Sequence, residues 1–322
     1  MNRVLLRKTF NDARWLLAAC AGLMFLFSWI RVVIVSNMEL HQIQRLTRNL
    51  PEFIQRLSPV PIEQLVSYAG LVAITFEEPI AYMMMAAWTF SRGSDCISGE
   101  LGRGTLEMIL AQPVGRMRYL WTHVAVTVAG VVLIALAAQA GTHVGINTSY
   151  VKQPASRAPW SILFPGADKQ AALEPKFDLI PMTKYVQPRM FWTAALNYVC
   201  LGLFLAGLTT FMSAWDRYRW RTLGIIVGFY IIETICELTG MAVDGWHWLL
   251  WVTFFSLYEP VAFATAASKD PSAGWAFWAA DSTGILPDLG PLGSDLLLLI
   301  LAAGCFAGAA WIFRHRDLPA PL

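Results

Sequence analysis

The sequence predicts an all-α polytopic membrane protein: six transmembrane helices, with a short helix in the polar segment between the second and third spans. Three observations carry that expectation. Only 14% of the 322 residues are charged and 56% are apolar, whereas soluble domains carry about 25% charged residues. The mean hydropathy of +0.50 means that the chain cannot cover a water-facing surface well. Six runs, at 15–36, 65–90, 119–140, 191–213, 222–243 and 295–313, reach the roughly 20 mostly apolar residues that a span requires. Fourteen tryptophans suit a protein with two wet interfaces.

The first run is too long for a signal-peptide core. It carries Arg31 and ends in Val-Ile-Val-Ser rather than in a small-residue cleavage site, so it reads as a retained anchor. Lys and Arg set the expected orientation. With the N-terminus inside, the segments 1–14, 91–118, 214–221 and 314–322 hold thirteen basic residues in 59 positions, and the segments 37–64, 141–190 and 244–294 hold ten in 129. Both termini are therefore expected on the cytoplasmic side, as six spans require. No repeat, low-complexity tract or separate soluble domain is visible, so residues 1–322 read as one transmembrane domain.

The outer segments differ from one another. Leu40, Ile43, Leu46, Leu50, Phe53 and Leu57 recur three or four apart, which predicts an interfacial or pore-capping helix over 38–57. Pro154, Pro159, Pro165, Pro175, Pro181 and Pro188 predict an irregular external loop over 141–190. Residues 246–266 are aromatic and apolar but interrupted by Glu259-Pro260. They fit a re-entrant or interfacial element within the external 244–294 segment better than a seventh span, which would reverse the C-terminus.

The polar segment 91–118 carries the strongest local pattern. Thr105 suits an N-cap, Glu107 falls in the first turn where the helix dipole favours a negative charge, and Leu106, Ile109 and Leu110 share a face. Pro113 stops the helix because it lacks an N–H and disfavours helical geometry before it. Gly99, Gly102 and Gly104 loosen the approach, and Arg116 and Arg118 stand at the start of span three within reach of lipid phosphates. Spacing alone fits a plain capped connecting loop equally well.

Several chemistries lack their residues. There is no Gly-x4-Gly-Lys-Ser/Thr phosphate loop, no metal spacing among the five histidines, no HExxH and no GxSxG. The five cysteines form no CxxC pair, so neither a zinc site nor a disulfide framework is indicated. No catalytic, cofactor-binding or metal-binding residue is expected on this chain, and no nucleic-acid partner.

Charges inside the spans are costly, by about 2.5–3.5 kcal/mol at the helix centre. Glu77 and Glu78 lie mid-way along span two, Glu233 and Glu237 one turn apart on span five, and Arg31 in the outer half of span one. They form a candidate translocation path or gate around Arg31. The competing reading is an ion pair that fixes packing, with the other carboxylates at the interface or protonated. Gly224-x3-Gly228 and Gly304-x3-Gly308 allow close helix approach, within the bundle or at a seam between two copies.

The run Glu-x3-Gly-Thr-Leu-Glu-x2-Leu-Ala-x-Pro-Val-x-Arg, from Glu100 to Arg116 between spans two and three, resembles the signature of ABC-2-type permeases, the membrane subunits of ATP-binding-cassette transporters. The likeness is greatest to the branch that includes the nitrous-oxide-reductase maturation permease. The closing Phe313-Arg-His-Arg-Asp-Leu-Pro319 and a basic N-terminal amphipathic segment (Val4, Leu5 and Phe10 against Arg3, Arg7 and Lys8) are similar to that branch too. The specific part covers about twenty residues; the rest of the chain is similar only in layout, and the long 141–190 loop exceeds a minimal member.

The resemblance implies that this segment is a coupling helix docking into a separate nucleotide-binding subunit. Glu100, Gly104, Thr105, Leu106, Glu107, Pro113 and Arg116 match the motif, with Ile109 and Leu110 on the same helix. It further implies ATP and magnesium on the partner subunit, a second permease copy or a relative, a bacterial cytoplasmic membrane, and export. Two other functions remain open from the residues: an ion-coupled secondary transporter using the intramembrane carboxylates, and a membrane scaffold that recruits a cytoplasmic partner.

Overall fold

The computed structural model describes residues 3–40, 62–154, 177–243, 245–278 and 289–316. Among these, six helical segments are long and apolar enough to cross a membrane, at Arg3–Ser36, Tyr68–Gly102, Arg116–Thr148, Pro188–Trp215, Arg219–Ala242 and Pro291–His315. The architecture is all-α apart from one small hairpin.

Helix α1 (Arg3–Ser36) is a single rod of 34 residues, about 51 Å at 1.5 Å per residue. The amphipathic segment expected over 1–14 is therefore continuous with the first span. The apolar spacing of Leu5, Ala13, Leu17, Cys20, Met24 and Val32 keeps one buried face along the whole length.

The second span is broken. Helix α2 (Tyr68–Ala73) is capped by Ser67, whose hydroxyl accepts from the Gly70 amide at 3.0 Å. It tightens into a 3₁₀ turn at Ile74–Phe76 and stops at Glu77–Glu78. Helix α3 (Pro79–Ser94) restarts with Pro79 in its first turn, where the missing N–H costs nothing. Backbone carbonyls freed inside an apolar bundle need partners. The Tyr258 hydroxyl donates to the Phe76 carbonyl at the break, and the Tyr198 hydroxyl donates to the Ala81 carbonyl in the first turn of α3. Below Ser94 the helix widens into a π turn at Asp95–Gly99 and continues to Gly102, so the first part of the expected polar segment, 91–102, is a helical extension of span two.

The short helix α4 (Thr105–Leu110) precedes helix α5 (Arg116–Thr148). The third span thus runs eight residues beyond 140. Strands β1 (Tyr150–Pro154) and β2 (Phe177–Pro181) then pair antiparallel, with Tyr150 opposite Pro181 and Pro154 opposite Phe177. The ends of the expected irregular loop are therefore ordered. The fourth, fifth and sixth spans contain helices α6 (Phe191–Trp215), α7 (Arg219–Ala242) and α9 (Pro291–His315).

Between α7 and α9 the chain dips into the bundle. Phe254–Leu257 forms a 3₁₀ turn and helix α8 (Pro260–Lys269) is buried from Pro260 to Ala267. The Phe254 amide donates to the Glu233 carboxylate at 3.2 Å. Glu233 lies nine residues before the end of α7, about 13 Å along the helix, so the part of 246–266 from Thr253 onward folds back into the bundle, whereas Trp246, Trp248, Trp251 and Val252 are exposed. The amphipathic pattern at 41–57 and the tail from 317 lie outside the described residues.

Helix α1 packs most extensively on α5, and α6 on α9. Within this core Gly130 of α5 faces Trp88 of α3, and a Cβ at that glycine would overlap the indole. The indole Nε1 donates to the Thr127 carbonyl at 2.9 Å, which fixes the ring against that glycine. Of the two Gly-x3-Gly pairs, Gly308 abuts Phe211, whereas Gly224, Gly228 and Gly304 have open space where a Cβ would be. Gly130→Ala should lower the stability of the detergent-purified protein by about 1–3 kcal/mol through overpacking, and Gly224→Ala should leave it unchanged. The thermal unfolding midpoints of the two variants check this.

Candidate functional site

One end of the bundle gathers the start of α1, residues 92–119, the α6–α7 turn and the end of α9. The thirteen basic residues of the expected inner segments all belong to these elements. Hydrogen bonds and ion pairs tie the elements together there.

The π turn at Asp95–Gly99 is held by three other helices. Ser213 of α6 accepts at its hydroxyl from the Ile97 and Ser98 amides, at 3.2 and 2.9 Å, and donates to the Ser94 carbonyl at 3.2 Å. An inserted hydroxyl of this kind opens the i→i−4 ladder and widens the turn. Thr222 of α7 donates to the Ser98 hydroxyl at 3.2 Å, and Tyr119 of α5 donates to the Cys96 carbonyl at 2.7 Å.

Two carboxylates collect the surrounding cations. Asp95 lies 2.8 Å from Arg103, 3.2 Å from Arg219 and 4.0 Å from Arg92. Its hydrogen bond and charge raise the Arg103 guanidinium above the ordinary arginine value, further helped by Glu100. Glu100 lies 3.2 Å from Arg103 and 3.9 Å from Lys8 of α1. Its carboxylate also accepts from the Thr105 hydroxyl.

The predicted residues fall into two groups. Glu100, Leu101 and Leu106 are buried, and Leu106 packs in a cluster with Leu5, Ile97, Tyr119, Leu120 and Phe313. Ile109 and Leu110 pack at its edge. The apolar stripe of α4 therefore faces the bundle. Arg103, Gly104, Met108, Ala111, Gln112, Pro113, Gly115 and Arg118 are exposed, with Glu107 half-buried among them.

Two local expectations change. The N-cap of α4 is Gly104, at φ 71° and ψ 4°, a left-handed conformation that favours glycine. Thr105 is the first helical residue and its hydroxyl points back to Glu100 rather than forward to an amide. Arg116, expected at lipid phosphates, donates to the Arg316 carbonyl at 2.9 Å. Arg316 in turn donates to the carbonyls of Ala214 and Asp216, at 2.7 and 3.0 Å. Arg116 thus joins span three to the ends of spans six and four.

At the other end the candidate gate residues divide. Glu78 pairs with Arg31 at 3.1 Å, linking spans one and two. Glu77, its neighbour, points elsewhere and accepts from the Val261 amide at 3.1 Å, in the first turn of α8. Glu233 is buried and caps the Phe254 amide. Glu77 and Glu237 line a cavity of about 530 Å³ together with Glu259. The expected single cluster around Arg31 is therefore three separate arrangements: an ion pair, a structural cap and a cavity. Glu259 and the tyrosines around the cavity were not singled out from sequence. The Glu259-Pro260 pair, which repeats the Glu78-Pro79 junction at a helix start, was their only signal.

The chain matches no protein-family model and no curated protein.

Ser213→Ala removes the acceptor for two buried amides, so it should lower stability by about 1–3 kcal/mol and speed hydrogen exchange at Ile97 and Ser98. Met108→Gln, on the exposed side of α4, should stay within about 0.5 kcal/mol. Thermal unfolding and peptide-resolved exchange on the purified protein measure both.

Proposed function

We propose that this chain is the membrane-spanning permease subunit of an ABC-2-type transporter, working as an exporter in a bacterial cytoplasmic membrane with both termini inside. ATP hydrolysis and its magnesium belong to a separate nucleotide-binding subunit. Two permease chains, identical or related, would assemble with two such subunits in the bilayer.

The observation that carries this reading is the mounting of α4. The motif-bearing helix presents Glu107, Met108, Ala111, Gln112 and Pro113 outward, and its opposite face is fixed to the bundle through Leu106 and Glu100. A push on the exposed face is transmitted by Glu100 to α1 and by the π turn to α5, α6 and α7. A helix built to pass force needs this combination of an open face and a rigid base. Glu100, Gly104, Thr105, Leu106 and Arg116 then position the helix, and the docking contacts fall to Glu107, Met108 and their exposed neighbours.

The broken second span supports a second reading. A discontinuous helix beside carboxylates is a common form of ion site in secondary transporters, and Glu77 stands at such a break with Glu237 across the cavity. The two readings differ in their need for a partner.

Co-expression with an ATPase subunit encoded beside this gene should yield a complex that co-purifies in detergent. Glu107→Lys or Met108→Asp should reduce its ATPase rate by about tenfold, which corresponds to ~1.4 kcal/mol. The folded permease variant should remain intact by size exclusion. A chain that transports under an ion gradient with no ATPase associated would overturn the permease reading and favour the secondary transporter.

A further inference from the structure

We infer that the cavity between α3, α7 and the re-entrant segment is a binding site for lipophilic organic cations that enter sideways from the lipid leaflet remote from the basic end. This goes beyond the proposed function, because binding at the cavity requires neither ATP nor a partner subunit.

The first ground is charge. The lining contains Glu77, Glu237 and Glu259, and no lysine or arginine among the described residues. The nearby Arg31 is engaged by Glu78. Carboxylates facing one low-dielectric volume repel each other, and an entering cation lowers that cost.

The second ground is the arrangement of rings. Tyr82, Tyr230, Phe255 and Tyr258 line the same volume. Tyr82 stands at 70° to Tyr258 with centroids 5.3 Å apart, and at 73° to Phe255 at 5.8 Å. Tyr230 stands at 78° to Phe255 at 5.2 Å. These edge-to-face rings line one volume, and aromatic rings attract cations whose charge is spread over carbon, such as quaternary ammonium groups.

The third ground is access. Phe255, Tyr258 and Glu259 are buried and form the floor. Pro79, Met83 and Leu238 are exposed and form the mouth. They lie within two of the candidate membrane spans with their apolar side chains exposed, so the mouth opens on a flank of the bundle toward lipid. An amphiphile would place its charged centre between Glu77 and Glu237 and its apolar groups against Met83, Leu238 and Met241. The volume of about 530 Å³ lies within the usual 300–1,000 Å³ of small-molecule sites.

Tetraphenylphosphonium and tetraphenylborate test this, having the same shape and opposite charge. Binding of each to the purified full-length chain in detergent is measured by equilibrium dialysis. Tetraphenylphosphonium should bind saturably and tetraphenylborate should not. Glu77→Gln and Glu237→Gln should each weaken tetraphenylphosphonium about tenfold, and Tyr230→Leu by a similar factor. The amide oxygen introduced by Glu77→Gln still accepts from the Val261 amide, so the fold should persist. If either glutamine variant elutes as aggregate, Met83→Trp decides instead: it blocks the mouth from an exposed position and should abolish binding. Equal binding of the two probes, folded glutamine variants with unchanged affinity, or unchanged binding in Met83→Trp would each overturn the inference. Loss of the ATPase partner would leave every one of these readouts intact.

Discussion

The Ser213 hydroxyl, set between the Ser94 carbonyl and the Ile97 and Ser98 amides, is the interaction on which the basic end depends. A regular helix would keep those amides for its own carbonyls. By accepting from both, Ser213 holds the π turn open and rotates everything after it. Asp95 at the start of the turn meets Arg103 and Arg219, and Glu100 just after it accepts from Thr105. Leu101 and Leu106 then enter the same cluster as Leu5 and Phe313. Ser213, from a helix more than a hundred residues later, thus joins Tyr119, Thr222 and Glu100 in placing α4, and Gly99 leaves the room that the Asp95 carboxylate needs.

The opposite end solves a related problem differently. There the second span stops outright at Glu77–Glu78, and Tyr258 of the re-entrant segment donates to the Phe76 carbonyl at the break. Both devices place irregular backbone inside the bundle, and both are satisfied by hydroxyls from neighbouring helices. The two breaks in one span leave α3 as a rigid block between two joints, with the cavity at one joint and the π turn at the other.

Six spans were legible in the sequence because length and composition decide them, and the alternation of six crossings brings the segments 1–14, 91–118 and 214–221 and the end of the last span to one end. The short helix before Pro113 was legible through Glu107 and the Leu106–Ile109–Leu110 spacing. Its cap was not, since Thr105 and Gly104 are both credible caps and only the backbone angle of Gly104 chooses between them. Burial of Glu100 was also hidden: a glutamate in a polar loop reads as exposed until Lys8 and Arg103 are seen beside it. The carboxylates in the spans were found one by one, with Arg31 as the charge an ion pair would use, but which carboxylate it pairs with was not legible. Arg31–Glu78 and Glu77–Val261 are contacts between distant segments, and spacing along a helix carries no information about which neighbour lies opposite.

The packing of α1 against α5 has a consequence for how the protein is made. The first helix is complete at Ser36, but the helix that covers most of its buried face begins at Arg116, about 80 residues later. At roughly 5–20 residues per second, the first span waits about 4–16 s in the membrane with Met24, Val32 and Cys20 uncovered. Glu78, which pairs with Arg31 in the folded protein, arrives midway through that interval. The ion pair is therefore available early in synthesis, when it can hold the nascent first hairpin together until the third span closes over it.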